Sequence, residues 1–133
     1  MRWSFIRIES VDPSPARGED AAHWYEMQLP LIADGRLAWA QIGLHPDKAR
    51  VERFGLGTMK RLIGRLMLLE NQWTCVWQGE DEGLAANVRL IGARFSLGDA
   101  IGMRPLGGAL SLYKVRHRSL LPLAGGLAQC AAP

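Results

Sequence analysis

Gly55 and Gly57 stand two residues apart in the run Glu52-Arg53-Phe54-Gly55-Leu56-Gly57-Thr58, directly ahead of a segment with helical spacing. Glycines there let the backbone approach a phosphate, and a helix N-terminus adds N–H groups and a favourable dipole. A tight turn is the plainer reading of the same pair, because a G-x-G is common in loops. Lys60, Arg61 and Arg65 follow closely, and Lys114, Arg116, His117 and Arg118 form a second basic group. Basic clusters can touch nucleic acid or an acidic partner, and they also serve as a solvated face.

Other reactive residue types fall into no catalytic pattern. Gly79-Glu80-Asp81-Glu82 brings three carboxylates together, but without further spaced ligands they read as an acidic helix start rather than a metal site. His23, His45 and His117 are too far apart in sequence for zinc-ligand spacing. Cys75 lies among apolar residues and reads as a small buried hydrophobe, and Cys130 lies near the end of the chain. Two cysteines make no disulfide framework, so reduced thiols in a cytoplasmic setting are expected. No Ser/His/Asp arrangement is identifiable. Five tryptophans are expected as core and interface anchors.

The elements that must position these residues read as follows. The chain has 133 residues and a net charge of +3, enough for one domain with one core. Residues 1–118 are expected to form that domain, and 119–133 a tail that is loose or docked on a partner. No apolar run is long enough to span a membrane, and a soluble protein is expected. Arg2–Ile8 alternates as a strand. Val11–Asp20 holds two prolines and a glycine and reads as a loop. Asp34-Gly35 suits a hairpin turn between strands at His23–Ile32 and Arg36–Leu44. A helix over Glu19–Met27 competes with the first of these.

In Thr58–Gln72, Met59, Leu62, Ile63, Leu66 and Leu69 fall at helical spacing behind a Thr58 N-cap. Trp73–Trp77 reads as a buried strand. Leu84, Val88 and Ile91 make a helical stripe ended by Gly92. Ala93–Leu97 and Ala109–His117 read as a last hairpin, with a turn-rich loop between them. Strand–helix–strand beside hairpins predicts a mixed α/β fold.

That order resembles the later part of the GNAT superfamily of N-acetyltransferases, over about Arg36 to Arg116. "QIGLHP" is similar to the family's strand, "ERFGLGT" to its loop, and Met59–Asn71 to the helix after it. Trp73–Trp77 and "ANVRLIGARF" are similar to the next strand, the next helix and its turn. The resemblance implies a shortened α/β fold, with a mixed, mostly antiparallel sheet and flanking helices. It also implies acetyl-CoA held at Arg53, Gly55, Gly57 and Thr58. Departures accompany it. Glu52 stands where the family has Arg or Gln, Gly92-Ala93 replaces Gly-Phe, and Val88 stands where the family's general-acid Tyr belongs. The only tyrosines are Tyr25 and Tyr113, and His45 is the nearest proton-transfer group to the loop.

A narrower resemblance, to the acetyltransferase-like internal virion proteins of short-tailed bacteriophages, is carried by Trp73, Val76, Trp77, Gly79, Arg89, Ile91, Gly92, Ala93 and Phe95. It implies a catalytically inactive structural or assembly protein in the virion, and in the host cytoplasm during assembly. Its partners would be other virion proteins or further copies of itself. An acetyl-CoA-dependent N-acyltransferase is the first alternative. A nucleic-acid-contacting module using Lys60, Arg61 and Arg65 is the second.

Overall fold

A computed structural model describes residues 1–11, 23–55, 61–78, 87–92 and 94–122. It is a closed barrel of eight antiparallel strands in sequence order. The strands are β1 (Arg2–Ser10), β2 (His23–Leu31), β3 (Arg50–Gly55), β4 (Leu62–Leu69), β5 (Gln72–Trp77), β6 (Val88–Ile91), β7 (Ala100–Pro105) and β8 (Ser111–Leu120). One six-residue helix, α1 (Trp39–Leu44), and a single 3-10 turn at Pro46–Lys48 lie between β2 and β3.

Alternation drives this architecture. In β1, Ser4, Ile6 and Ile8 are buried while the residues between them face outward. In β2, Tyr25, Met27 and Leu29 point in, and Trp24, Glu26 and Gln28 point out. Side chains of a strand have period two, so each strand contributes one apolar row to the lumen. Ile6, Ile8, Met27, Leu29, Val51, Leu66, Ile101, Met103 and Val115 fill the middle of the barrel. An eight-stranded barrel is just wide enough for side chains to fill it. The pattern is the reverse of a porin-type wall, which is polar inside and apolar outside. Among the described residues, no helix is long and apolar enough to cross a membrane.

Closure comes from β1, which pairs with β2 on one side and with β8 on the other. The β1–β8 register shifts between Arg7 and Ile8, so an extra residue of β8 sits opposite that step. β8 runs through Leu120, and the Leu121 N–H donates to the Trp3 carbonyl. The lower end is sealed by the chain between β2 and β3. Asp34-Gly35 turns it, as the sequence suggests, with Gly35 at φ +89°. Leu37 bridges back to Leu31, Arg36 bridges to Arg94, and the Phe95 N–H donates to the Gly35 carbonyl. Phe95 is fully buried beneath that crossing.

The mixed α/β expectation is therefore corrected, and the GNAT resemblance falls with it. The helix predicted over Thr58–Gln72 is strand β4 from Leu62 onward. The helix predicted to end at Gly92 is strand β6 from Val88 onward. Both segments carry period-two rows as well as helical ones: Leu62 and Leu66 point in, as do Val88 and Leu90. Neighbouring strands supply the backbone partners that let the period-two pattern win. The strand predicted over Arg36–Leu44 gives only bridges at Arg36 and Leu37 and then α1, where Ile42 alone is buried. The predicted loop between the last two strands contains β7, which pairs with β8 in place of Ala93–Leu97. Its Ile101 and Met103 alternate inward. β1, β2 and the Trp73–Trp77 strand stand as expected, and the competing helix at Glu19–Met27 is a strand from His23. The virion-protein resemblance used the same Trp73–Phe95 segment in its helical reading, so it loses its structural basis too.

Gly64 is the tightest point in the wall. A Cβ there would stand 2.9 Å from Cε3 of Trp77 and press on the Val76 backbone across the β4–β5 ladder. Gly64→Ala is expected to lower stability by about 1–3 kcal/mol. Ile63→Ala, on the outer face of the same strand, is expected to cost less, about 1 kcal/mol. Urea unfolding followed by Trp fluorescence measures both, and equal losses would refute the packing account.

Candidate functional site

Chemistry-bearing side chains gather at the upper end of the lumen, where β1, β3, β5 and β7 finish and β2, β4, β6 and β8 begin. Below that end the inward rows are mostly aliphatic and sulfur-bearing, with the buried Ser4 on β1 and Phe95 beneath the lower crossing. At it, the inward rows turn aromatic and polar: His23 and Tyr25 on β2, Arg53 on β3, Trp77 on β5 and Tyr113 on β8. Tyr25 and Arg53 are register partners across β2–β3. Ser10, at the end of β1, pairs with Tyr113, and its small side chain lets β2 and β8 meet across it.

The contacts are close. His23 Nε2 and Tyr113 Oη lie 2.5 Å apart, with ring centroids separated by 5.5 Å at a steep angle. Tyr25 stands edge-on to Tyr113, with centroids 5.3 Å apart, and edge-on to His23 at 6.1 Å. The Trp77 indole stacks on Tyr25 at 6.2 Å and 20°. Such edge and offset arrangements match the ring quadrupoles. Cys75 lies one inward step from Trp77 and is fully buried.

Burial pushes the Tyr25 hydroxyl far above its ordinary range, with Tyr113 and Cys75 adding to the effect and the nearby Arg53 guanidinium opposing it. Burial alone pushes the Cys75 thiol up to about 12. At neutral pH both groups keep their protons. Cys75 is no thiolate nucleophile, and Tyr25 is a hydrogen-bonding phenol, not a base. The arrangement can hold and orient a polar group. Among the described residues, no group of three or more His, Cys, Asp or Glu could hold a metal ion.

The residues singled out from the sequence are dispersed. Arg53 and Gly55 lie at the upper end of β3, with Arg53 on the inward row. Gly57, Thr58 and Lys60 lie outside the described residues. From Leu62 onward the chain is β4, so the helix whose dipole would support acetyl-CoA phosphates is missing there. Arg61 pairs with Glu52 at 2.5 Å and lies over the Phe54 ring, and Arg65 pairs with Asp47 at 2.6 Å. Both candidate nucleic-acid contacts are thus already matched by carboxylates. His45 ends α1, where its N–H donates to the Gln41 carbonyl, and its ring lies edge-on to Trp3. The acidic Glu80-Asp81-Glu82 run lies outside the described residues.

A second recess lies at the lower end. Arg36, Leu37, Trp39, Leu68, Trp73 and Gly92 line a cleft of about 330 Å³, with Trp39 68% exposed. Arg36 is engaged by Asp34 at 3.3 Å, and nothing else there adds a polar recognition group.

The His23–Tyr25–Tyr113 cluster escapes sequence reading because 90 residues separate His23 from Tyr113. The available signal was parity: His23 and Tyr25 are two apart on one strand, and Tyr113 alternates with Val115 on another. Compared with known proteins, the chain matches no family model, no curated protein and no solved structure. The class follows from the fold: a closed up-and-down β-barrel, with polar and aromatic side chains gathered at one end.

The Cys75 and Tyr25 shifts give a signed pH dependence. Both groups titrate higher in the folded chain than in the unfolded one, so their contribution is complete below the unfolded values. It is lost as pH rises, for Cys75 between 9.0 and about 12. Stability by urea unfolding is expected to fall across that window, and less steeply in Cys75→Ala. In a Cys130→Ser background, thiol labelling at neutral pH is expected to proceed at the global unfolding rate. Fast labelling of the native protein would contradict the burial of Cys75.

Proposed function

We propose that the protein is a non-catalytic binding barrel that takes a small organic anion at its mouth. The observation that carries this reading is the change of the inward rows from the aliphatic middle of the lumen to His23, Tyr25, Arg53 and Tyr113, which converge at its upper end. Placing such groups inside a barrel costs desolvation that aliphatic residues would avoid. Barrel mouths are also common ligand sites. His23 and Arg53 are half-buried, and Tyr25, Tyr113 and Trp77 are buried beside them.

The composition of the cluster sets the ligand class. Arg53 supplies a permanent positive charge and a planar fork of donors, which suits a carboxylate or phosphate group. The His23–Tyr113 pair adds a second polar contact. The packed middle of the barrel, from Met27 and Met103 to Leu66, leaves no room for a long tail. A compact molecule is therefore favoured over an extended lipid.

The test is titration of the labelled protein with a panel of small carboxylates and phosphate monoesters, followed by amide NMR. At least one member is expected to shift the resonances of residues 23, 53 and 113 in a saturable way. Arg53→Met is expected to weaken that ligand by about tenfold or more, the loss of one charge-assisted contact. Tyr113→Phe is expected to weaken it by about threefold to tenfold, one neutral hydrogen bond. No saturable shift at millimolar ligand, or shifts unchanged in Arg53→Met, would rule the reading out.

A further inference from the structure

The two halves of the barrel's outer wall treat charge differently. On β1–β3, arginines are matched by carboxylates: Arg7 with Glu9 at 2.8 Å, and Arg50 and Arg61 with Glu52 at 3.4 and 2.5 Å. Aromatic rings lie among them, with Arg7 over Trp24 and Arg61 over Phe54. On β6–β8 the pattern breaks. Arg89 stands directly opposite Arg104 across the β6–β7 ladder. Like charges in that position repel. Among the described residues, the carboxylate paired with Arg89 is that of Glu70, 3.6 Å away and 85% exposed. Arg104, Lys114 and Arg116 are exposed and form no ion pair with any described residue. Glu9, the register partner of Lys114, is held by Arg7.

Between these cations runs an apolar row. Ile91, Gly102 and Leu112 are register partners across β6, β7 and β8. Ile91 and Leu112 are 43% and 49% exposed. Leu110, also half exposed, folds over Gly102: a Cβ on that glycine would come 2.9 Å from Leu110 Cδ1. The row for Arg89 and Arg104 lies on one side, and that for Ala100 and Lys114 on the other. Successive rows on one face are about 7 Å apart, so the cationic rows stand about 14 Å apart with the apolar row midway.

We propose that the β6–β8 wall is a docking surface for an acidic amphipathic helix of a partner protein. A helix with its side chains is about 10–12 Å across. Laid along the apolar row, it would set a leucine-type seam on Ile91, Leu110 and Leu112. Its flanking carboxylates would then face Arg89 and Arg104 on one side and Lys114 on the other. Apolar anchors hold such a helix in its groove, and the charges select its sign and register. Other anionic occupants fit less well. No Trp, Phe or Tyr points outward from β6, β7 or β8, and single-stranded nucleic acid needs rings to stack on. The exposed apolar side chains here form a narrow strip between cations, whereas an anionic membrane takes up a broad apolar face.

The experiment is fluorescence anisotropy of the full chain with a labelled synthetic helix that carries leucines along one face and glutamates on both flanks. A shuffled peptide of the same composition, anionic phosphatidylserine vesicles and a single-stranded oligonucleotide serve as comparisons. The amphipathic helix is expected to bind saturably and the shuffled peptide at least about tenfold more weakly, a difference of about 1.4 kcal/mol. The double variant Arg104→Glu/Lys114→Glu is expected to lose about tenfold or more, and Leu112→Ser several-fold. Arg50→Gln on the opposite wall should bind as the wild type does. These positions are exposed, and circular dichroism checks that each variant folds. Equal binding of the shuffled peptide, absence of binding by the amphipathic helix, or tighter binding of vesicles or oligonucleotide would each overturn the proposal.

Discussion

Everything in this molecule depends on the ladder between β1 and β8. It joins residues 4–10 to residues 113–120 and closes the sheet on itself. Without it both strands would be open edges, with backbone donors and acceptors facing solvent and available to other chains. With it, every strand has two neighbours and the sheet has two faces, a lumen and an outer wall. Each inward row then meets the others across a single core. The shift at Arg7 and Ile8 belongs to this closure, because it changes the register partway along the seam.

Closure also assembles the mouth. Tyr113 reaches His23 only because β8 and β2 flank the same strand, and Ser10 leaves them space there. Trp77 reaches Tyr25 across the lumen, not along the sheet, and its indole needs the missing side chain of Gly64 to lie flat against β4. The cluster is thus a product of curvature. The same residues on a flat sheet would point the same way without converging. Their burial explains why two potentially reactive groups, the Cys75 thiol and the Tyr25 phenol, stay protonated and act as packing and hydrogen-bonding elements.

The outer wall records a division of labour. On β1–β3, charges compensate one another and aromatic rings are covered by cations, so that face is electrostatically content in water. On β6–β8, cations stand opposite cations around exposed aliphatic residues. A barrel gains little stability from such an arrangement, since exposed ion pairs are weak in any case and like-charged neighbours oppose folding. The proposed ligand site rests on the Arg53 fork at the mouth, and the proposed partner surface on the Arg104–Lys114 wall.

Several local features were legible in the chain alone. The alternation in Arg2–Ile8, the strand at Trp73–Trp77, the turn at Asp34-Gly35 and the buried character of Cys75 all follow from local chemistry, and all stand. The helices read into Thr58–Gln72 and the segment ending at Gly92 do not. Leu62, Leu66 and Leu69 fit a helical stripe, while Leu62, Gly64 and Leu66 fit an inward strand row, and nothing within the segment separates the two. What decides is whether strands lie on both sides to complete the backbone hydrogen bonds, and those partners are non-local. For the same reason the sequence determined the amphipathic rows and the reactive residue types, but not which rows would face one another. His23 with Tyr113, Arg89 with Arg104 and Ile91 beside Leu112 are neighbours only because the sheet curls and closes, a condition that no short stretch of chain carries.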